Sequence, residues 1–342
     1  MKKVSVIVPC YNVAGYLDKC IRQILSQSMG TEYIDLILVD DASTDGGETK
    51  KLIQRYEQCY PEIITAVFLE ENMKQGGARN VGVSYAGGEY ITFCDADDWL
   101  LEETLEHTYD AAKEYDADMV SFERKYVNRR DDFISLEKGD GNRLYELDIP
   151  QARKEFLVNM KEDLSSQNKL FRLSFIRENQ IAFAEHFFME EASFTIPARL
   201  YAKRSLYLDE KLYICYLSPE STMRNQDWES RKWDNLQVWL MLMEELSIRG
   251  ILEGYRQELE YLFFSQGIGW GVTYIFQKGG ILTKKEWEFL TDIIRKMIPD
   301  IRENPYVKCE DTPLDKARND LLFAALNMDF SVADEMTKER TK

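Results

Sequence analysis

Residues 88–100 read GEYITFCDADDWL, and this stretch constrains the chain most. Tyr90 to Cys94 is a run of β-branched, aromatic and small apolar side chains, the pattern of a strand buried on both faces. It stops at Asp95-Ala96-Asp97-Asp98. Three carboxylates cannot face a core uncompensated, because unpaired buried charge is very unfavourable. The strand must therefore end at an opening, where a divalent cation is the simplest counter-charge. Asp95 and Asp97 reach one ion if the chain turns at Ala96. Their hard oxygens suit Mn²⁺ or Mg²⁺, with waters and substrate phosphates completing the shell. Asp98 is expected to act instead as the N-cap of the following helix.

This strand is the fourth of a series. Val4 to Pro9, Ile34 to Val39 and Ile63 to Leu69 are earlier apolar runs, and Met119 to Glu123 is a fifth. Between them, Ala14 to Ser28, Glu48 to Cys59, Gly77 to Tyr85 and Glu102 to Tyr115 carry helical spacing or helix-terminating signals. Alternation of buried strands and helices predicts an α/β fold, a Rossmann-like and mostly parallel sheet with helices on both faces. In such sheets ligands bind beyond the carboxyl ends of the strands, at the topological switch. Those ends are Tyr11-Asn12, Asp40-Asp41, Glu71-Asn72 and Asp95 to Asp98. Four polar ends in a row read as one site.

The later chain differs. Charged turns at Asn128 to Asp132 and Lys138 to Asn142 predict an exposed hairpin or loop over residues 125–150. Short helices and strands are expected over residues 151–224. From Trp228 onward the period is helical, with segments at Trp228 to Ile248, Leu252 to Phe276, Lys284 to Ile298 and Leu314 to Ala325. The expected domains are 1–224, with halves 1–125 and 126–224, and a helical C-terminal domain, 225–342. Its tryptophans are expected as bundle core.

Charge and cysteine usage exclude several classes. With 43 Lys+Arg against 60 Asp+Glu, the net charge of −17 argues against nucleic-acid partners and broad adsorption to anionic lipid. Six cysteines without a CxxC pair read as small buried apolar residues of a reducing compartment. Two histidines make a His-rich zinc site unexpected. No run reaches the roughly 18 to 20 apolar residues of a membrane span, and Val4 to Val8 is too short for a signal segment. The expected location is the cytoplasm, free or peripheral at the inner face of the membrane.

VSVIVPCYN (Val4 to Asn12), LILVDDASTDGG (Leu36 to Gly47), ENMKQGGARNVG (Glu71 to Gly82) and GGEYITFCDADDWL (Gly87 to Leu100) together resemble family 2 glycosyltransferases. The likeness continues more weakly through NKLFR (Asn168 to Arg172), MEEASF (Met189 to Phe194) and YLSPEST (Tyr216 to Thr222). The resemblance implies the GT-A fold and an inverting transfer from a nucleotide-diphosphate sugar. UDP is the expected nucleotide, and the implied enzyme is a hexosyl- or N-acetylhexosaminyltransferase. It places the nucleotide at Pro9, Tyr11, Asn12, Asp41, Asn72, Arg79, Asp95 and Ala96, with Lys74 as a further candidate. Asp97, with Asp95, would hold the metal. Asn168 and Lys169 would lie beside donor sugar and acceptor. Ser221, Thr222 and Arg224 would form a loop closing on the diphosphate, Arg224 standing in for the Arg that Leu217 replaces.

Inversion requires a base across the anomeric carbon from the leaving diphosphate, within reach of the acceptor hydroxyl. Glu190-Glu191 is the candidate pair. Adjacent helical residues point about 100° apart, so only one faces the sugar. Similar enzymes carry Glu-Asp here with Asp as base. Glu191 takes that place and is favoured, but it is one methylene longer, a departure that leaves Glu190 open. The implied acceptor is a cell-surface glycan, a lipid-linked oligosaccharide or a wall polymer, and the C-terminal helices are candidates for homodimer pairing. Two rival readings stand beside this one. A nucleotidyltransferase would need a Gly-rich loop where the chain has Cys10-Tyr11-Asn12. An inactive nucleotide-sugar-binding scaffold would need no acidic pair.

Overall fold

The computed structural model describes residues 1–130, 134–159, 163–217, 229–307 and Phe323. The chain divides into two compact units, Met1–Asn225 and Gln226–Lys342.

The first unit is built on β1 (Val4–Cys10), β2 (Ile34–Asp40), β3 (Ile64–Phe68) and β4 (Tyr90–Phe93), parallel strands in the order β3-β2-β1-β4. Every residue of β1 is buried, as an unbroken apolar run requires of a central strand. Its side chains alternate between two cores. Val4, Val6, Val8 and Cys10 join the core of α1 (Ala14–Leu25), α2 (Glu48–Cys59) and α4 (Thr104–Glu114), whereas Ile7 joins that of α3 (Lys74–Tyr85). Helices thus cover both faces, as expected.

Pro9 does not end the first strand. It pairs with Val39 inside β1, at a level where β4, registered only from Val4 to Ile7, no longer runs alongside. A residue without an N–H is tolerated where one ladder has already stopped. Beyond Ile7 the strands β1 and β4 part. The chain passes β1, β2, β3 in one direction and then returns to the other side of β1, so this parting is the topological switch.

The rest of the sheet is mixed. β6 (Met119–Val127) runs past its expected end at Glu123, and β8 (Lys169–Arg172) enters between β4 and β6, antiparallel to both. β9 (Arg204–Tyr216) lies parallel to β6, while β5 (Trp99–Leu100) and β7 (Arg143–Glu146) pair antiparallel with β9. Parallel pairing thus holds for β1 to β4 and again between β6 and β9, whereas β5, β7 and β8 pair antiparallel. Part of the stretch expected as an exposed hairpin or loop is strand, with β7 paired to β9 and a bridge from Lys138 to Glu210. The face of α3 is completed by α5 (Pro150–Val158), α6 (Leu173–Glu178) and α7 (Glu191–Tyr201). Cys10, Cys20 and Cys94 are buried thiols, but Cys59 is exposed.

The second unit is helical: α8 (Asp234–Ile248), α9 (Arg256–Leu262), a π-helix (Phe263–Trp270), α10 (Gly271–Gln277) and α11 (Lys284–Met297). The helix expected from Leu252 to Phe276 is helical throughout, entering through a 3₁₀ turn and widening to a π-helix at Phe263–Trp270. Gly267 lies where a Cβ would meet Trp239 Cγ at 2.8 Å, and Asn235 Nδ2 donates to the carbonyls of Gln266 and Gly267 at 2.9 and 2.7 Å. Those contacts serve the carbonyls of a widened turn. Trp239 and Trp287 are core, whereas Trp270 is 39% exposed. Among the described residues no helix is long and apolar enough to cross a membrane. The expected helix Leu314 to Ala325 lies, but for Phe323, outside the described residues.

Candidate active site

Past β4 the chain turns through Asp95 to Asp98, and the surrounding elements hold Asp95 tightly. Arg79 Nη2 donates to its Oδ1 at 2.9 Å, and Gln167 Nε2 to its Oδ2 at 3.0 Å. The Asp95 N–H donates to the Tyr213 hydroxyl at 3.0 Å. Arg79 is fully buried on α3, and its Nη1 lies 2.5 Å from Glu190 Oε1. Glu190 directly precedes α7. Glu191, the first residue of α7, accepts at Oε1 from the Ser166 N–H at 2.9 Å and its hydroxyl at 3.1 Å. One buried guanidinium thus joins the two acidic clusters singled out in the sequence.

The segment before α7 is seated on α3. His186 N donates to Met73 O, and Asn80 exchanges hydrogen bonds with the Phe183 backbone in both directions. A Cβ on Gly76 would meet Ala184 O at 2.3 Å and Glu190 Cγ at 2.8 Å, so only glycine lets the helix come this close. His186 and Met189 adopt φ of 68° and 63°, a strained region for side chains of this size.

The site is short of positive charge. Burial and the Asp95 charge push the Asp97 carboxyl up to about 6, against an opposing pull from Arg130. Burial, then Asp95 and Asp97, push Asp98 up as well. Burial raises Glu190 to about 7 despite Arg79, whose single charge is shared with Asp95. Such a cluster suits a divalent cation. Among the described residues no three or more His, Cys, Asp or Glu side chains are grouped to hold one. Two carboxylates, Asp97 and Asp95, would hold a hard cation such as Mn²⁺ or Mg²⁺, which keeps waters and phosphate oxygens, more readily than zinc, which takes a full set of protein ligands.

Asp98 is not a helix cap. Its Oδ1 accepts from the Tyr216 N–H at 2.8 Å, and α4 starts only at Thr104 because β5 intervenes. Tyr11 is 44% exposed, a ring free to cover a base. Asn12, at φ 55°, is committed to the loop after β2: its Oδ1 accepts from Thr44 N–H at 2.7 Å. Asp40 likewise accepts from Ser43 N–H, and Asp41 from Met73 N–H at 2.6 Å, with burial raising the Asp41 carboxyl to about 6. Asn72 reaches Asp41 O and caps Lys74 N–H, so these residues form a hydrogen-bonded wall between the end of β2 and the start of α3.

Several of the expected ligand-contact residues are buried. Pro9 and Ala96 pack inside the fold. Arg79 has no exposed surface, and its guanidinium pairs with Asp95 and Glu190. Lys169 is also fully buried; its ammonium donates to Asp163 O, Ser165 O and Asn168 Oδ1, while Asn168 Nδ2 donates to Phe122 O. The pair holds the loop that presents Ser166 and Gln167. Those two were missed, although they immediately precede the singled-out Asn168-Lys169. Arg224, Ser221 and Thr222 lie outside the described residues.

A family model for glycosyl transferase family 2 matches residues 5–178, just over half of the chain. The chain belongs to glycosyl transferase family 2. Among its family 2 relatives, the poly(ribitol-phosphate) beta-glucosyltransferase of Bacillus spizizenii is 28% identical over 235 residues, covering 64% of this chain and 35% of that protein. The poly(ribitol-phosphate) beta-N-acetylglucosaminyltransferase TarP of Staphylococcus aureus is 30% identical over 227 residues, 65% of each chain. TarS of S. aureus is 26% identical, matched over 76% of this chain and 43% of its own length. The chain thus spans well under half the length of the first and third of these relatives. Residues 1–349 of S. aureus TarS, solved in complex with UDP-GlcNAc, superpose with a TM-score of 0.70 at 21% identity, covering 99% of this chain and 91% of that one. At that identity the likeness is one of fold, the expected GT-A architecture with a helical C-terminal region.

Proposed function

We propose that this family 2 chain is a metal-dependent inverting glycosyltransferase that moves a hexose or N-acetylhexosamine from UDP to a hydroxyl of a wall polymer. The observation that carries the reading is the pairing, through Arg79, of the acidic end of β4 with the acidic start of α7. An inverting transfer needs those two functions on opposite sides of one sugar: a holder for the leaving diphosphate and a proton acceptor. The relatives' names, poly(ribitol-phosphate) transferases of glucose and N-acetylglucosamine, support a wall-polymer acceptor and these sugars.

In this reading Tyr11 covers the base, and the Asp41 and Asn72 wall borders it. Mn²⁺ or Mg²⁺ on Asp97 would offset the charge of the departing diphosphate. Asp95, fixed by two donors, faces ribose and metal with its remaining lone pairs. Glu191 takes the acceptor proton: two donors on Oε1 orient its carboxylate and leave Oε2 for the hydroxyl. Glu190 is held by Arg79, too buried to meet an acceptor. Residues 225–342 form a separate helical domain and supply any homodimer contact, and the enzyme works at the cytoplasmic face of the membrane.

The test is release of UDP from UDP-GlcNAc and UDP-glucose in the presence of ribitol-phosphate polymer, with and without Mn²⁺. Metal-dependent release that requires the polymer supports the reading. No release from either donor, with UDP still bound, returns the chain to the scaffold class.

A further inference from the structure

We propose that Arg79, Gln167 and Ser166 are positioning residues of a closed circuit that ties Asp95, on the donor side of the cleft, to Glu191, the proton acceptor. The proposal rests on the transferase reading and deepens it. The circuit is followed bond by bond. Gln167 donates to Asp95, Asp95 accepts from Arg79, and Arg79 donates to Glu190. The Glu190–Glu191 peptide bond leads to Glu191, which accepts twice from Ser166, and the Ser166–Gln167 peptide bond closes the ring.

Each link is held from outside. Ser166 and Arg79 have no exposed surface and Glu190 is 2% exposed. Lys169 and Asn168 anchor the loop carrying Ser166 and Gln167; Gly76 and Asn80 seat the segment carrying Glu190. A buried arginine between two carboxylates is a poor source of stability, because the desolvation of three charges offsets their attraction. Its geometric effect is larger: a planar guanidinium with one arm on each carboxylate sets their separation and orientation. Since both peptide links are covalent, a shift of Asp95 must reach Glu191 by two routes, through Arg79 and through Gln167. Filling the donor site then orders the base before the acceptor arrives.

Coupling of this kind is reciprocal, so it is read at the end that the substitution does not touch. Ser166→Ala alters only the Glu191 side. It is expected to weaken UDP binding in the presence of Mn²⁺, measured by calorimetry, roughly three- to tenfold. Ser166→Thr, which keeps the hydroxyl, is expected to restore it. Gln167→Leu alters only the Asp95 side and is expected to lower kcat at saturating UDP-sugar by a similar factor, beyond any rise in donor KM. Melting curves establish that each variant is folded at the assay temperature. If Ser166→Ala leaves UDP affinity unchanged and Gln167→Leu changes only donor KM, the two ends are independent and the circuit is overturned. If the wild type binds UDP without transferring sugar, the transferase reading falls, while the Ser166 binding arm still decides the circuit.

Discussion

Asp97 and Glu191 are the residues on which turnover is expected to depend most. Burial and the Asp95 charge raise the Asp97 carboxyl to about 6, so removing it should not unfold the chain. Asp97→Ala is expected to lower kcat/KM by about 100-fold or more, with the melting temperature in metal-free buffer unchanged or raised. The two glutamates separate by substitution. Glu191→Gln keeps the Ser166 contacts but cannot accept a proton, and should cost about 10²- to 10⁴-fold in kcat. Glu190→Gln still accepts from Arg79 and should lose far less. Equal losses, measured by UDP release, would overturn the assignment of Glu191 as base. The acidic clusters themselves were legible because charge at the end of an apolar run is hard to explain otherwise. The burial of Arg79 and Lys169 was not, because a cationic side chain next to a cleft motif looks the same in sequence whether it points outward or inward.

Among the elements, α3 has the largest share in building the site. It is packed on two sides: Gly76, Arg79 and Asn80 meet residues 183–190, while Ala78 and Gly82 meet the sheet. Gly76→Ala would drive a methyl into Ala184 O and the Glu190 side chain. The expected result is a loss of about 1–3 kcal/mol of stability, read by denaturant titration, and a fall in turnover larger than in UDP affinity, since the displaced segment leads directly into Glu191, the proposed base. Equal effects on both would show that the segment is not what moved. The glycine pair at Gly76-Gly77 was visible in the sequence, but its partner lies more than 100 residues away and no local pattern names it. The same limit explains the π-helix, whose widened turn is fitted to Asn235 and Trp239 of a different helix.

Over the whole molecule, the carboxyls of Asp41, Asp97, Asp98, Glu190 and Glu260 are raised above their usual range, Asp41 and Asp97 to about 6 and Glu190 to about 7. Each binds its proton more tightly in the folded than in the unfolded chain. Between about pH 4 and about pH 7 the folded state therefore holds more protons, and stability falls as pH rises. Asp18, Asp45, Glu89 and Glu137 are lowered and act in the opposite sense, at more acidic pH. Without metal, the melting temperature is expected to fall from about pH 5 to about pH 7, and Glu190→Gln to flatten that slope. Mn²⁺ with UDP should raise the melting temperature more at the upper end, because its carboxylate ligands must be ionised. A slope unchanged in Glu190→Gln would remove Glu190 from the account.

Strands, helices and the four polar strand ends follow from local order along the chain: apolar period, turn residues and the abrupt stop at Asp95 each concern neighbours within a few residues. Which side of the sheet each later strand joins does not, because β8 and β9 are placed by pairing with strands laid down long before them. Nor does the fate of the charged residues. Whether Asp98 caps a helix or accepts from Tyr216, and whether Arg79 meets a nucleotide or links Asp95 to Glu190, depends on which distant groups share the same buried volume. Long-range packing sets how far each charge is removed from water, and only folded coordinates specify that packing.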